Sequence, residues 1–145
     1  MNEKLLQFIW QYSLYQPAGL ITADGQPVTV VHPGMRNTHA GPDFLEAKVR
    51  VGDTLLAGHV ELHVNGSDWH RHGHQHDDAY GNVILHVVYN DDDTIGLLNI
   101  PVLELAKAIP AHVLTKYDNL MQASYSIPCA SQLSSVSAIT KESWL

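Results

Sequence analysis

The chain holds a single cysteine, Cys129, in 145 residues. One thiol excludes an intramolecular disulfide, and with no His or second Cys nearby Cys129 is assigned no role. Lysine and arginine are scarce as well. There are eight against fifteen Asp and Glu, for a formal charge of −7. Tight nucleic-acid binding needs clustered cations that displace phosphate counterions, so the charge argues against generic DNA or RNA binding by this chain alone. Long apolar runs are missing. None approaches the roughly 18–20 residues that span a bilayer, so no membrane span is expected. The N-terminus, Met1-Asn2-Glu3-Lys4-Leu5-Leu6, lacks a basic stretch leading into an apolar one and a cleavage site. It reads as a helix and not as a signal peptide, which makes the cytoplasm the default location.

What is present is a globular composition, 45% apolar and 16% charged, with room for one core. Apolar residues Leu5, Leu6, Ile9, Trp10 and Leu14 form a helical stripe over Glu3 to Tyr15. Asp24-Gly25 is a hairpin turn signal between Leu20–Ala23 and Val28–His32. Phe44–Val51 and Thr54–Val64 read as paired strands around Gly52-Asp53. Val83–Tyr89 is the nearly continuous apolar run of a central strand, and Thr94–Ile100 suggests another. Pro110 to Met121 reads as a second amphipathic helix. The expected fold is α/β or α+β, a central mixed β-sheet with an antiparallel meander flanked by helices. Residues 1–125 are expected to form one globular domain. Residues 126–145, Ser-rich and ending in Trp144-Leu145, read as the start of a further segment, with the chain cut inside a longer protein.

Seven of the ten histidines fall between His59 and His86. On the second paired strand the period of two puts His59, Glu61 and His63 on one face. Asp43 opens the preceding strand, so pairing can bring its carboxylate beside Glu61. Two carboxylates on adjacent strands suit a hard cation such as magnesium or manganese, and His63 could orient or deprotonate its water. The plain alternative is a polar, solvated sheet face. His70, His72, His74 and His76 alternate, followed by Asp77 and Asp78. Extended, the four rings share a face; helical, His72 and His76 pair at i, i+4. Imidazole suits zinc, nickel, copper or iron. The alternative is an exposed loop that binds metal opportunistically. His86, inside an apolar strand, reads as a hydrogen-bonded core residue, and Trp69 and Tyr80 as packing anchors.

The segments Gly41-Pro42-Asp43-Phe44, Gly58-His59-Val60-Glu61-Leu62-His63-Val64, Ser67-Asp68-Trp69, His72-Gly73-His74, Asp77, Ala79-Tyr80 and Val83–Tyr89 resemble an uncharacterised bacterial family, domain of unknown function 2851. Its members are longer, which again implies a fragment whose partner is the remainder of the protein. A more remote likeness is to the PD-(D/E)XK nuclease superfamily. Its core is a helix, a three-stranded antiparallel meander, a helix and a further strand. Pro42-Asp43 and Glu61-Leu62-His63 stand where that superfamily has its acidic residue and its Glu-x-Lys. His63 replaces a permanent cation with one that is charged only below a pKa of about 6.5.

The likeness implies a metal-dependent phosphodiester hydrolase, or a degenerate relative, acting on nucleic acid. Asp43, Glu61 and His63 would be catalytic, and Asp43, Glu61, His72, His74 and Asp77 would surround a divalent metal. Magnesium or manganese is favoured and zinc is possible. The alternative function is a non-catalytic interaction domain with a His-rich zinc-binding segment.

Overall fold

The computed structural model describes residues 1–97 and 99–125. Cys129 and the rest of the segment 126–145 lie outside them. The chain divides into two compact units, Met1–Ile109 and Pro110–Leu145. In the second, helix α3 (Ala111–Tyr125) follows Pro110, whose carbonyl accepts the Val113 N–H at 3.1 Å.

The first unit begins with α1 (Glu3–Gln11), capped by the Asn2 side chain, which accepts the Leu5 N–H at 2.8 Å. The helix stops four residues short of the expected Tyr15. Ser13 takes a left-handed φ of 53°, the Leu14 N–H reaches back to the Ile9 carbonyl, and the Ser13 N–H reaches the Trp10 carbonyl. That closing motif ends the helix although the apolar stripe continues to Leu14.

A mixed sheet follows, built from β1 (Val28–His32), β2 (Met35–Arg36), β3 (Phe44–Val51), β4 (Thr54–Asn65), β5 (Val83–Asn90) and β6 (Val102–Glu104). The order is β1-β3-β4-β5-β6, with β2 added to β3. The β1/β3 and β3/β4 pairs are antiparallel, whereas β4/β5 and β5/β6 are parallel. Between β4 and β5 the chain makes one short helix, α2 (Asp68–Arg71), and two single 3₁₀ turns, His74–His76 and Asp78–Tyr80. The expected mixed sheet with helices against it is therefore present; both α1 and α2 pack on β4.

Two strand expectations are corrected. Residues 94–97, 99 and 100 form no strand, because Gly96 (φ 78°) and Asn99 (φ 65°) are left-handed and the Asp93 carboxylate accepts the Ile95 N–H in a tight turn. The strand comes later, as β6. The arm 20–23 makes only isolated bridges, Ile21 to Pro27 and Thr22 to Leu103. The Asp24-Gly25 turn itself forms, with Gly25 at φ 89°.

The burial pattern changes along β4. Thr54, Leu55 and Ala57 are exposed, while Val60, Glu61, Leu62 and His63 are all buried. Where β4 runs beside β5, its second face is covered as well. Trp10, Phe44, Leu6, Ile9, Leu62 and Leu85 are among the largest apolar side chains with essentially no exposure in this unit.

Candidate metal centre

The Asp43 backbone N–H donates to Glu61 Oε2 at 2.9 Å, and the Leu62 N–H donates to Asp43 Oδ2 at 3.1 Å. These bonds lock the start of β3 against the second half of β4. A bulge makes this possible. Between Phe44 and Ala47 the β3/β4 register shifts by one, with Glu46 at φ 57° and its N–H donated to His59 Nδ1 at 3.2 Å. Gln7 of α1 also bonds Asp43. Arg36 Nη2 reaches Gln7 Oε1 at 2.7 Å, and its Nη1 lies 3.8 Å from Asp43 Oδ1. Burial pushes the Asp43 carboxyl up, against the pull of the Leu62 N–H.

Glu61 Oε1 points the other way, to 3.3 Å from His74 Nε2 and 3.5 Å from His63 Nε2. Burial, and next the Asp43 carboxylate, push the Glu61 carboxyl up to about 9. His63 has no exposed surface, and its Nδ1 contacts His86 Nε2 at 2.8 Å. Burial, reinforced by the three neighbouring imidazoles, pushes His63 down to about 2, and His86 falls to about 4 for the same leading reason. His74 is lowered as well, by burial first and then by His72.

The loop histidines do not act as one stripe. Gly73, at φ 70°, reverses the chain directly after the α2 cap at His72. That turn brings the His72 and His74 rings to 5.4 Å, with centroids 4.9 and 5.2 Å from His63. His70 instead bonds Asp93 at 3.1 Å, and His76 faces out. Asp77 caps the next turn by accepting the Ala79 N–H at 2.9 Å. The expected anchor Trp69 is buried and packs its ring on His74, Tyr80 and His86. Tyr80 is half-buried, stacks on His74 at 3.8 Å, and has its hydroxyl pushed up to about 12 by burial and then by the nearby carboxylates.

Among the described residues, one group of His, Cys, Asp or Glu side chains has ligand atoms all within 4.8 Å of one another: His63, His72 and His74. His63 Nε2 and His74 Nε2 are buried with no hydrogen-bond partner among the described residues. Two unpartnered ring nitrogens, each able to offer a lone pair, fit a cation. Nitrogens about 2.0–2.1 Å from zinc stand roughly 3.3 Å apart, so the group has to close by at most about 1.5 Å. His72, exposed and next to Gly73, is the ligand best placed to adjust.

Sequence reasoning named all four of Glu61, His63, His72 and His74; it grouped His63 with the carboxylates, and the structure sets both Glu61 and the loop imidazoles beside it. It missed the support from Arg36 and Gln7. Nothing local in the sequence signals those two, because they reach the site from β2 and α1.

No curated protein and no solved structure matches the chain. One family description does, "Protein of unknown function (DUF2851)", over residues 3–145. The chain belongs to that family.

Proposed function

We propose that this domain binds a transition-metal ion of the zinc class through His63, His72 and His74, with Glu61 as the adjoining oxygen. The observation that carries the reading is the pair of buried, unbonded Nε2 atoms of His63 and His74. Three imidazoles make a borderline-soft site that suits zinc, cobalt or nickel better than magnesium. Once bound, such an ion supplies Lewis acidity and an ionised water, the chemistry of metal-assisted hydrolysis. His63, fixed within the sheet, gives the centre its rigid corner. His72, exposed, leaves the approach from solvent open. Glu61 Oε1, beside His63 and His74, would present a charged oxygen to a bound ion.

The test is a titration of chelator-stripped protein. One equivalent of zinc or cobalt should bind far more tightly than magnesium, and His72→Ala should weaken that binding without unfolding the chain. Zinc binding no tighter than magnesium would remove the reading.

A second reading rests on Asp43. Its contacts with Glu61 and Leu62, and the order helix, antiparallel strands, helical crossing, parallel strand, support a phosphodiester hydrolase of the PD-(D/E)XK type. There Asp43 and Glu61 hold magnesium or manganese, His63 stands for the superfamily's Lys, Asp77 lies at the rim, and the partner is nucleic acid. Cleavage of DNA or RNA that needs magnesium or manganese and is lost in Glu61→Gln would favour it. His63→Lys separates the two readings by sign. It keeps or raises cleavage in a nuclease at pH 8, and it removes zinc binding because the imidazole ligand is gone.

A further inference from the structure

His86 lies outside the three-imidazole group yet touches it. Its Nε2 is 2.8 Å from His63 Nδ1, and 1% of the residue is exposed. In the parallel β4/β5 ladder it pairs with Glu61, two residues from His63 on β4. Trp69 packs on its ring at 5.1 Å and fixes it from the loop side. A contact of 2.8 Å between two ring nitrogens needs one N–H and one lone pair.

Two arrangements satisfy that contact. If His86 donates, His63 carries its proton on Nε2. Among the described residues that buried N–H then has no hydrogen-bond acceptor, Glu61 Oε1 standing at 3.5 Å, too far for a bond of ordinary strength. If His63 donates from Nδ1, its Nε2 keeps a lone pair among the other imidazoles.

We propose that His86 is the positioning residue of this centre: its Nε2 accepts the His63 Nδ1–H and so holds His63 in the tautomer whose Nε2 lone pair can ligate. This role rests on the metal reading above. A ligating histidine is typically held by a partner on its other nitrogen, most often a carboxylate, a backbone carbonyl or water. Here a neutral imidazole on the neighbouring strand takes that place. His86 therefore carries its own proton on Nδ1.

Two measurements test this, the first of them separate from metal binding itself. Long-range ¹H–¹⁵N correlation on the metal-free protein reads the His63 tautomer directly, with protonation at Nδ1 expected. Zinc competition against a chelator then compares wild type with His86→Phe and His86→Gln. Loss of the acceptor in His86→Phe should weaken zinc by about 10–100-fold. His86→Gln, whose amide oxygen reaches near the lost Nε2, should restore most of it.

Cobalt-loaded protein gives a spectral check. Its visible bands should shift in His86→Phe and return toward wild type in His86→Gln, a pattern that a packing defect alone does not produce. A His63 proton on Nε2 in the metal-free wild type would overturn the proposal, as would zinc affinity in His86→Phe equal to that of wild type. If His86→Phe fails to fold, the wild-type tautomer decides alone. Wild-type protein that binds no zinc would end the metal reading, while the tautomer measurement would still judge His86.

Discussion

The two halves of β4 invert the usual rule of burial. At its start Leu55 is 50% exposed, an apolar side chain facing water. Six and eight residues later Glu61 and His63 are 4% and 0% exposed, polar groups in the interior. One strand thus carries an apolar surface and a polar core. The difference follows from its neighbours. The first half pairs with β3 alone in the ladder, while the second half also runs parallel to β5 and has α2 and its following turns packed on it. Burying a carboxyl and an imidazole there is unfavourable unless they are bonded or bind a cation. Polarity retained at such a place marks the site more firmly than any motif spacing.

The largest test of this contrast is His63→Lys. In the metal-free protein it puts an ammonium group where no solvent reaches, and stability measured by denaturant unfolding should fall by about 3–5 kcal/mol. A loss below about 1 kcal/mol, the ordinary mutational scale, would mean that the interior end of β4 opens readily.

Next in size is zinc itself. At a free concentration 100 times the dissociation constant it should stabilise the wild type by about 2.7 kcal/mol. The gain should shrink in His72→Ala. Equal melting temperatures with and without zinc would count against a native-state site.

Glu61→Gln gives a smaller effect with a definite sign. Glu61 is raised to about 9 in the folded chain, from an ordinary 4.5, so the metal-free native state binds a proton that the unfolded state releases. The protein without metal should therefore lose stability as pH rises from about 4.5 to about 9. His63 and His86 act in the opposite sense below their ordinary 6.5, since the unfolded chain takes up protons there that the fold refuses. Below 6.5 the two histidines outweigh the one carboxyl, and above it only the Glu61 loss remains, so melting in chelator should show a maximum near pH 6.5. Glu61→Gln should flatten the alkaline limb and leave the acid limb in place. An unchanged alkaline limb would assign the loss to other groups.

The smallest effect is expected at the exposed end. Leu55→Thr should change stability by no more than about 0.5 kcal/mol. A larger loss would show that this surface is covered in solution.

Much of this contrast was legible in the sequence, because it depends on period. The alternation of β4 placed Glu61 and His63 together, and Asp24-Gly25, Gly52-Asp53 and the Val83–Tyr89 run marked turns and a central strand that formed. Exposed Glu46, Lys48 and Arg50 on β3 also match their alternation. What the period could not carry were single-residue reversals. Ser13 ended α1 early and Asn99 helped cancel a strand, because a non-glycine residue with positive φ leaves no composition signal. Gly73 gathered two histidines and turned His76 away by one left-handed residue, which neither the extended nor the helical reading of that segment contained. The contacts of His63 with His86 and of Asp43 with Gln7 join elements far apart in the chain, and spacing says nothing about such partners.

The surplus residue in β3 has a further consequence, which is one of phase. Pairing of Ala47 with Gly58, continued without interruption, would set Asp43 across from Leu62. Pairing of Phe44 with Val60, one step out of that frame, sets it across from Glu61. Glu46 is thus a frame shift written into the ladder, and the meeting of the two acidic residues depends on it. Pairing that one residue into a regular ladder, with no bulge to take it up, would leave every side chain of the acidic pair intact and set them out of step.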